Sequence, residues 1–161
     1  MKQDKLYEII SSFYDFKINR IERIKTELVI EISLPWSNVV GLNSDYLLIK
    51  LLNCNEFKCE YYKVISDQLI EAYPGKFIKD SQEVLTSNID EIKSLELTIN
   101  NCTYNYNNSY TFWCKSNLSI ELAKLIFTTT DIHFFDMEGD EVPIDEFEKW
   151  KTIWWKSKFE D

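Results

Sequence analysis

Four cysteines and one histidine are the side chains of this sequence best suited to metal binding or nucleophilic catalysis. Structural zinc sites take thiolates in close pairs, because two ligands from one tight turn must reach the same tetrahedral ion. Here four residues separate Cys54 from Cys59, eleven separate Cys102 from Cys114, and all four fall in or beside predicted strands. The spacing therefore favours buried core thiols over a metal site.

A catalytic centre is not visible in the sequence. A cysteine nucleophile needs an adjacent base, and His133 lies between Ile132 and Phe134 in a predicted strand, which is typical of a packed or partly exposed position. The three scattered glycines form no phosphate-binding loop. We therefore predict that the protein is not an enzyme, that it has no catalytic residue, and that it binds no cofactor and no metal. Because carboxylate pairs leave no spacing signature, a small hydrolase using Asp or Glu is the enzymatic alternative.

The most distinctive charge pattern is an acidic segment from Asp131 to Glu148, which holds eight acidic residues and no Lys or Arg. This density predicts a negative surface for a cationic partner; the competing interpretation is a solvated turn before a helix N-terminus, where acids are favoured. An EF-hand needs Gly at its sixth position and Glu at its twelfth, whereas Gly139 is fourth and Phe147 twelfth from Asp136. The candidate partner-binding residues are Asp131, Asp136, Glu138, Asp140, Glu141, Asp145, Glu146 and Glu148.

The overall charge narrows the classes of partner. With 18 basic and 27 acidic residues the formal net charge is −9, and affinity for nucleic acid or anionic lipid depends on Lys and Arg. We therefore predict no nucleic acid and no membrane partner, but another protein with a basic surface. The sequence shows no signal-peptide core and no long apolar run, so we expect a cytoplasmic protein with reduced cysteines.

The elements that must position these residues read as a single α+β domain over residues 1–161, with a mainly antiparallel sheet of six to eight strands. Alternating apolar residues predict three hairpins, and a shift after Ile18 predicts a bulge in the first. The predicted hairpins pair residues 16–24 with 28–34, Tyr46–Asn53 with Phe57–Ile65, and Leu95–Ile99 with Tyr110–Cys114.

Helices are predicted at both chain ends, over residues 5–14 and from Pro143 onward. Ser119–Phe127 fits both periods and is assigned to a helix, while residues 67–93 stay open around a turn at Pro74. In the last helix Phe147, Trp150 and Trp154 form a stripe that should dock on the sheet. Trp155 points about 100° away: it is either a further core contact or an exposed anchor for a partner.

Three segments of the chain are similar to known domains: Ser12–Ile21, with its Phe-Tyr-Asp-Phe run; Leu28–Ile32; and Ile132–Gly139, which turns at Asp and Gly. They resemble small bacterial immunity-type domains of polymorphic toxin systems. The resemblance implies a cytoplasmic, non-enzymatic protein that binds and neutralises a toxin. The acidic segment favours a toxin with a basic active-site surface, such as a nuclease. It assigns no individual functional residue. A self-associating structural or regulatory domain is the further alternative.

Overall fold

A computed structural model describes residues 8–9, 15–35, 37–41, 45–116, 118 and 120–159. Nine strands form one antiparallel sheet in the order β5-β4-β8-β7-β6-β1-β2-β3-β9. The elements are β1 (Phe16–Ile24), β2 (Glu27–Ser33), β3 (Tyr46–Leu52), β4 (Phe57–Tyr73), β5 (Lys76–Thr86), α1 (Ile89–Ser94), β6 (Leu97–Tyr104), β7 (Ser109–Ser116), β8 (Ile120–Thr128), β9 (Asp131–Phe135) and α2 (Ile144–Phe159). The α+β class with a mainly antiparallel sheet is confirmed, with more strands than predicted.

The first and third predicted hairpins are present. The turn between β1 and β2 places Lys25 at a φ of 58°, and the register shifts between Ile18 and Arg20. This bulge adds one residue to β1, so Phe16, Ile18 and Ile21 are all buried although their spacing breaks strict alternation. Strands β6 and β7 pair across the loop at residues 105–108, as predicted.

The second predicted hairpin is wrong. Strand β3 pairs with β2 and β9, whereas β4 pairs with β5 and β8. The short linker between them turns away instead of folding back, and the N–H of Cys54 donates to the Thr26 carbonyl at 2.8 Å. Alternation of apolar residues states which face of a strand is buried, but it does not state which strand lies beside it.

The sheet is strongly coiled. Strands β8 and β9 lie six strand spacings apart, roughly 29 Å in a flat sheet, yet only Thr129 and Thr130 join them, a reach of at most about 11 Å. Hydrogen bonds join the β8–β9 linker to the two ends of the β3–β4 linker: the N–H of Thr130 donates to the Leu52 carbonyl at 3.0 Å, and the N–H of Thr128 donates to the Glu56 carbonyl at 3.1 Å. The coiling brings the two linkers together at one end of the sheet.

The helix predicted over Ser119–Phe127 is also wrong, because residues 120–128 form β8. This strand lies between β4 and β7, with Ala123, Leu125 and Phe127 buried at alternate positions. Residues 67–93, whose structure the sequence leaves open, form the end of β4, all of β5 and most of α1. The side chain of Asn88 caps the N-terminus of α1 by accepting hydrogen bonds from two backbone N–H groups.

At the chain ends, only Glu8 and Ile9 of the predicted N-terminal helix are described; both are helical, and the rest lies outside the described residues. The C-terminal helix is confirmed, with Phe147, Trp150 and Trp154 buried. The rings of Phe147 and Phe134 lie 4.7 Å apart, which docks α2 on β9. No helix of the described residues is long and apolar enough to cross a membrane.

All four cysteines are buried free thiols, as predicted. Burial raises the pKa of Cys102 to about 12, and burial with the nearby charges of Glu91 and Glu60 raises that of Cys59 to about 12. Thiols held in this state are inert as nucleophiles at neutral pH. They pack within the core instead.

Candidate functional site

The acidic segment follows β9, a tight turn and the start of α2. Asp136 begins the turn and fixes its shape: its Oδ1 accepts from the N–H groups of Glu138 and Asp140, each at 2.9 Å, and its own N–H donates to the Asp140 carbonyl. Gly139 takes a φ of 89°, a conformation that glycine adopts without strain. We call residues 136–140 the acidic turn.

Three carboxylates converge on this turn. One oxygen each of Asp136, Glu138 and Asp140 lies within 4.8 Å of the others, and the last two side chains are exposed. Among the described residues this trio is the arrangement that could hold a metal ion. The Asp136 oxygen that bonds the backbone already has its partners, and clusters of this kind are common on solvated turns.

His133 lies between two carboxylates of the segment. Its Nδ1 is 2.5 Å from Oε1 of Glu141, and its Nε2 is 3.0 Å from Oδ2 of Asp131. The hydrogen bond with Glu141, aided by the charge of Asp131, raises the pKa of His133 against a smaller opposing effect of desolvation. Desolvation opposes the change at Asp131, whose pKa is nevertheless lowered, with contributions from the Ile132 N–H and His133.

The negative charge of the segment is therefore partly compensated. His133 bridges two of the eight carboxylates, and Glu146 accepts from Nζ of Lys149 at 2.8 Å, one residue beyond the segment. Asp145 and Glu146 lie in the first turn of α2, where the helix dipole favours them. Five of the eight predicted acidic residues are exposed: Glu138 and Asp140 in the acidic turn, Glu141 directly after it, and Asp145 and Glu148 on α2.

Trp155 is 37% exposed, so the core alternative for this residue is wrong. Its ring stacks on Phe159 at 5.0 Å with an interplanar angle of 11°, and it meets Trp154 edge-on at 5.3 Å. Phe159 is itself 71% exposed. The two rings form an aromatic surface at the end of α2, of the kind that anchors protein partners.

An open groove elsewhere in the described chain bears on the hydrolase alternative. It is lined by Arg23, Asn55, Glu56, Phe57, Lys58 and Ser87. Among the described residues that line it, Glu56 is the only carboxylate, whereas glycosidase chemistry needs a pair. The carboxylates of the acidic turn are close together, but they lie on an exposed turn instead of in a cleft.

Sequence reasoning missed one large feature, which we call the β4–β5 arm and define as residues 64–81. Strand β4 pairs with β8 only as far as Lys63, and beyond that point β4 and β5 continue as a two-stranded hairpin. The arm and the adjoining end of β5 expose large apolar side chains, 59–62% accessible: Ile65, Leu69, Tyr73, Phe77 and Leu85. The apolar residues on either side of Pro74-Gly75 were the available signal.

Comparisons of the chain with protein-family profiles, with curated proteins and with solved structures find no match.

Proposed function

We propose that this protein is a non-enzymatic binding module that inhibits another protein, and that the acidic turn makes the central contact. The observation that supports this proposal is a cluster of carboxylates on an ordered turn: Glu138 and Asp140 are exposed, and hydrogen bonds to Asp136 fix the shape of the turn. A preorganised turn binds without the entropic cost of ordering a loop. Trp155 on α2 supplies an aromatic contact in the same proposal.

The chemistry of this surface favours a basic partner. Carboxylates steer a cationic protein into encounter, and they occupy the positions where substrate phosphates bind in a nuclease. The resemblance to immunity-type domains supports a toxin as the partner, and the carboxylates favour one with a basic active-site surface. In this proposal the protein acts by covering that surface, and no reaction takes place.

The test begins with the partner, found by pull-down from the native host or among the neighbouring genes. Its association rate is then measured by stopped flow for the natural protein and for a Glu138→Gln/Asp140→Asn variant. Loss of two steering charges should slow association by roughly threefold to tenfold at low salt. The difference should shrink at about 1 M salt, where the Debye length is about 3 Å.

Two design choices keep this test specific. Glu141 is left unchanged, because its contact with His133 makes its replacement a structural change. The control variant, Glu22→Gln/Asp90→Asn, removes the same charge from exposed carboxylates of β1 and α1 and should keep the natural rate. Equal rates for all three proteins, at every salt concentration, contradict the acidic-turn mechanism.

A further inference from the structure

The two edges of the nine-stranded sheet are treated differently. At one edge, β9 is partly covered: Val142 N–H donates to the Phe134 carbonyl, and Phe135 forms a bridge with Glu141. At the other edge β5 pairs with β4, and the described residues provide no strand on its outer side. An uncovered edge presents a row of backbone donors and acceptors to another strand.

The sequence of β5 is complementary to itself when read in the opposite direction. Centred on Ser81, antiparallel pairing of two copies places Phe77 opposite Leu85, Ile78 opposite Val84, and Lys79 opposite Glu83. Each of these pairs occurs twice, once on each side of the centre. Apolar residues therefore meet apolar residues and Lys79 meets the opposite charge of Glu83. The remaining charged residues, Asp80 and Lys76, face the neutral Gln82 and Thr86.

The geometry of a two-fold axis allows this register. An axis perpendicular to the sheet keeps each side chain on its own face, so a residue must lie opposite one of the same parity, as 77 and 85 do. Ser81 is the midpoint of β5, Lys76–Thr86, so the whole strand pairs. Moving the axis to Gln82 places Lys79 opposite Leu85 and loses the match.

In the monomer, the apolar side chains of Phe77 and Leu85 on β5 are exposed to solvent. Phe77 is 60% and Leu85 62% exposed, and alternation places both on one face of β5 with Lys79 and Glu83. Lys79 also lies 3.4 Å from Asp67 of its own chain, a carboxylate that is 95% exposed. That contact is an exposed one, worth little, and it leaves Lys79 able to reach a second copy.

We propose that two copies of this chain form a symmetric dimer in which β5 pairs antiparallel with β5 of the second copy, Ser81 opposite Ser81. The occupant of the edge is another molecule of the same protein, because the strand's own residues supply the complement. The result is a continuous sheet across both molecules. This inference is independent of the proposed function and uses none of its residues.

Charge exchange tests the pairing. Lys79→Glu alone places Glu opposite Glu83 twice, and Glu83→Lys alone places Lys opposite Lys79 twice. Either change should weaken the dimer at least about tenfold, whereas a mixture of the two variants restores both attractive pairs and should form a mixed dimer. Sedimentation equilibrium distinguishes a mass of 19.2 kDa from twice that value.

The matched control is Lys63→Glu, the same charge change at an exposed position of β4, which is an interior strand. It should leave the dimer intact. Circular dichroism of every variant confirms that the fold is kept. A natural protein that stays monomeric at the highest attainable concentration overturns the proposal and leaves the β5 edge for a strand of another protein. A dimer insensitive to both single exchanges overturns it as well.

The register is tested by disulfide capture. In the Ser81→Cys variant the two new thiols face each other, within the Cα separation that a disulfide spans. In the Gln82→Cys variant they are offset by two residues along the strand, about 7 Å, and cannot bridge without backbone movement. The four natural cysteines are buried. Capture at Ser81→Cys and not at Gln82→Cys is expected, and equal capture at both positions contradicts this register.

Discussion

His133 is a charge-coupled residue on the surface of β9, with Glu141 at one ring nitrogen and Asp131 at the other. Both carboxylates favour the imidazolium, because an opposite charge at contact distance stabilises the charged form. Protonation of His133 adds one positive charge next to the acidic turn. The surface that we propose for partner binding is therefore less negative at acidic pH.

The pKa of His133 predicts a pH-dependent stability. It is raised from 6.5 in the folded protein, so its stabilising effect is fully present below the unfolded value and is lost as pH rises through the folded one. Glu141→Gln should lower this pKa and cost less than about 1 kcal/mol at acidic pH, with the cost vanishing at alkaline pH. NMR of the ring protons is unambiguous, because the chain has one histidine.

Glu138→Gln is the control for this measurement. It removes one negative charge nearby, as Glu141→Gln does, but it leaves the two ring contacts of His133, with Glu141 and Asp131, in place. It should leave the titration close to that of the natural protein. A His133 that titrates at or below 6.5 in the natural protein would show that the two carboxylates do not hold it as described.

At the scale of elements, α2 separates two adjacent tryptophans into different environments. Successive helical residues point about 100° apart, so Trp154 lies in the core with Phe147, while Trp155 is directed to the surface. Nζ of Lys158 lies 4.3 Å from the Trp154 ring centroid and covers its outer side. The docking of α2 therefore depends on one of the two rings.

The two tryptophans should differ sharply on truncation. Trp154→Ala removes a buried ring and should lower the free energy of unfolding by about 3–5 kcal/mol. Trp155→Ala removes an exposed ring with its stacking on Phe159 and should cost about 1 kcal/mol or less. Urea denaturation followed by circular dichroism measures both. Equal losses would mean that α2 is docked in a different rotation from the one described.

Local pairing could be predicted from the sequence, whereas distant pairing could not. A short turn brings two consecutive strands together, so alternation combined with the turn between the strands predicted the pairing of β1 with β2 and of β6 with β7. The linker after β3 has the length of a turn, but its strands pair elsewhere. The helical spacing of Leu122, Leu125 and Ile126 led to the wrong prediction of a helix at β8. Leu122 is 40% exposed, and the buried residues of this segment alternate as they do in a strand.

The same distinction explains the site. The acidic segment and its turn are contiguous in sequence and were predictable. The contact between His133 and Glu141 depends on the turn that brings residue 141 back beside β9, and the arm depends on where β8 stops pairing with β4. Neither fact is written in the spacing of residues along one segment.

In the whole molecule, the contact between the β8–β9 linker and the β3–β4 linker stabilises the coiled shape of the sheet. Thr129 is 2% exposed, and its hydroxyl lies 2.6 Å from the Leu52 carbonyl and 2.8 Å from that of Asp131. One side chain thus connects the end of β3 with the start of β9. The hydroxyl is buried, so its loss leaves carbonyl groups with poorer hydrogen bonding.

Removing that hydroxyl should destabilise the entire sheet. Thr129→Val keeps the shape of the side chain and should lower the free energy of unfolding by about 1–3 kcal/mol. Thr130→Val, at the exposed neighbouring position, should change it by about 0.5 kcal/mol or less. Urea unfolding of both variants makes the comparison. If the two changes cost the same, the buried hydroxyl does not stabilise the contact between the two linkers.

The strand order also has a consequence for the chain as the ribosome makes it. Strands β1, β2 and β3 emerge first and can pair locally, but β1 waits for β6 and β3 waits for β9, the last strand of the sheet. Until residues 97–104 leave the exit tunnel, both sides of this three-stranded unit are unpaired, and the β3 side stays unpaired until residues 131–135 have followed. Closure therefore depends on contacts between distant residues, which are slow to form. We expect the nascent chain to be vulnerable to aggregation until β9 has emerged and paired with β3.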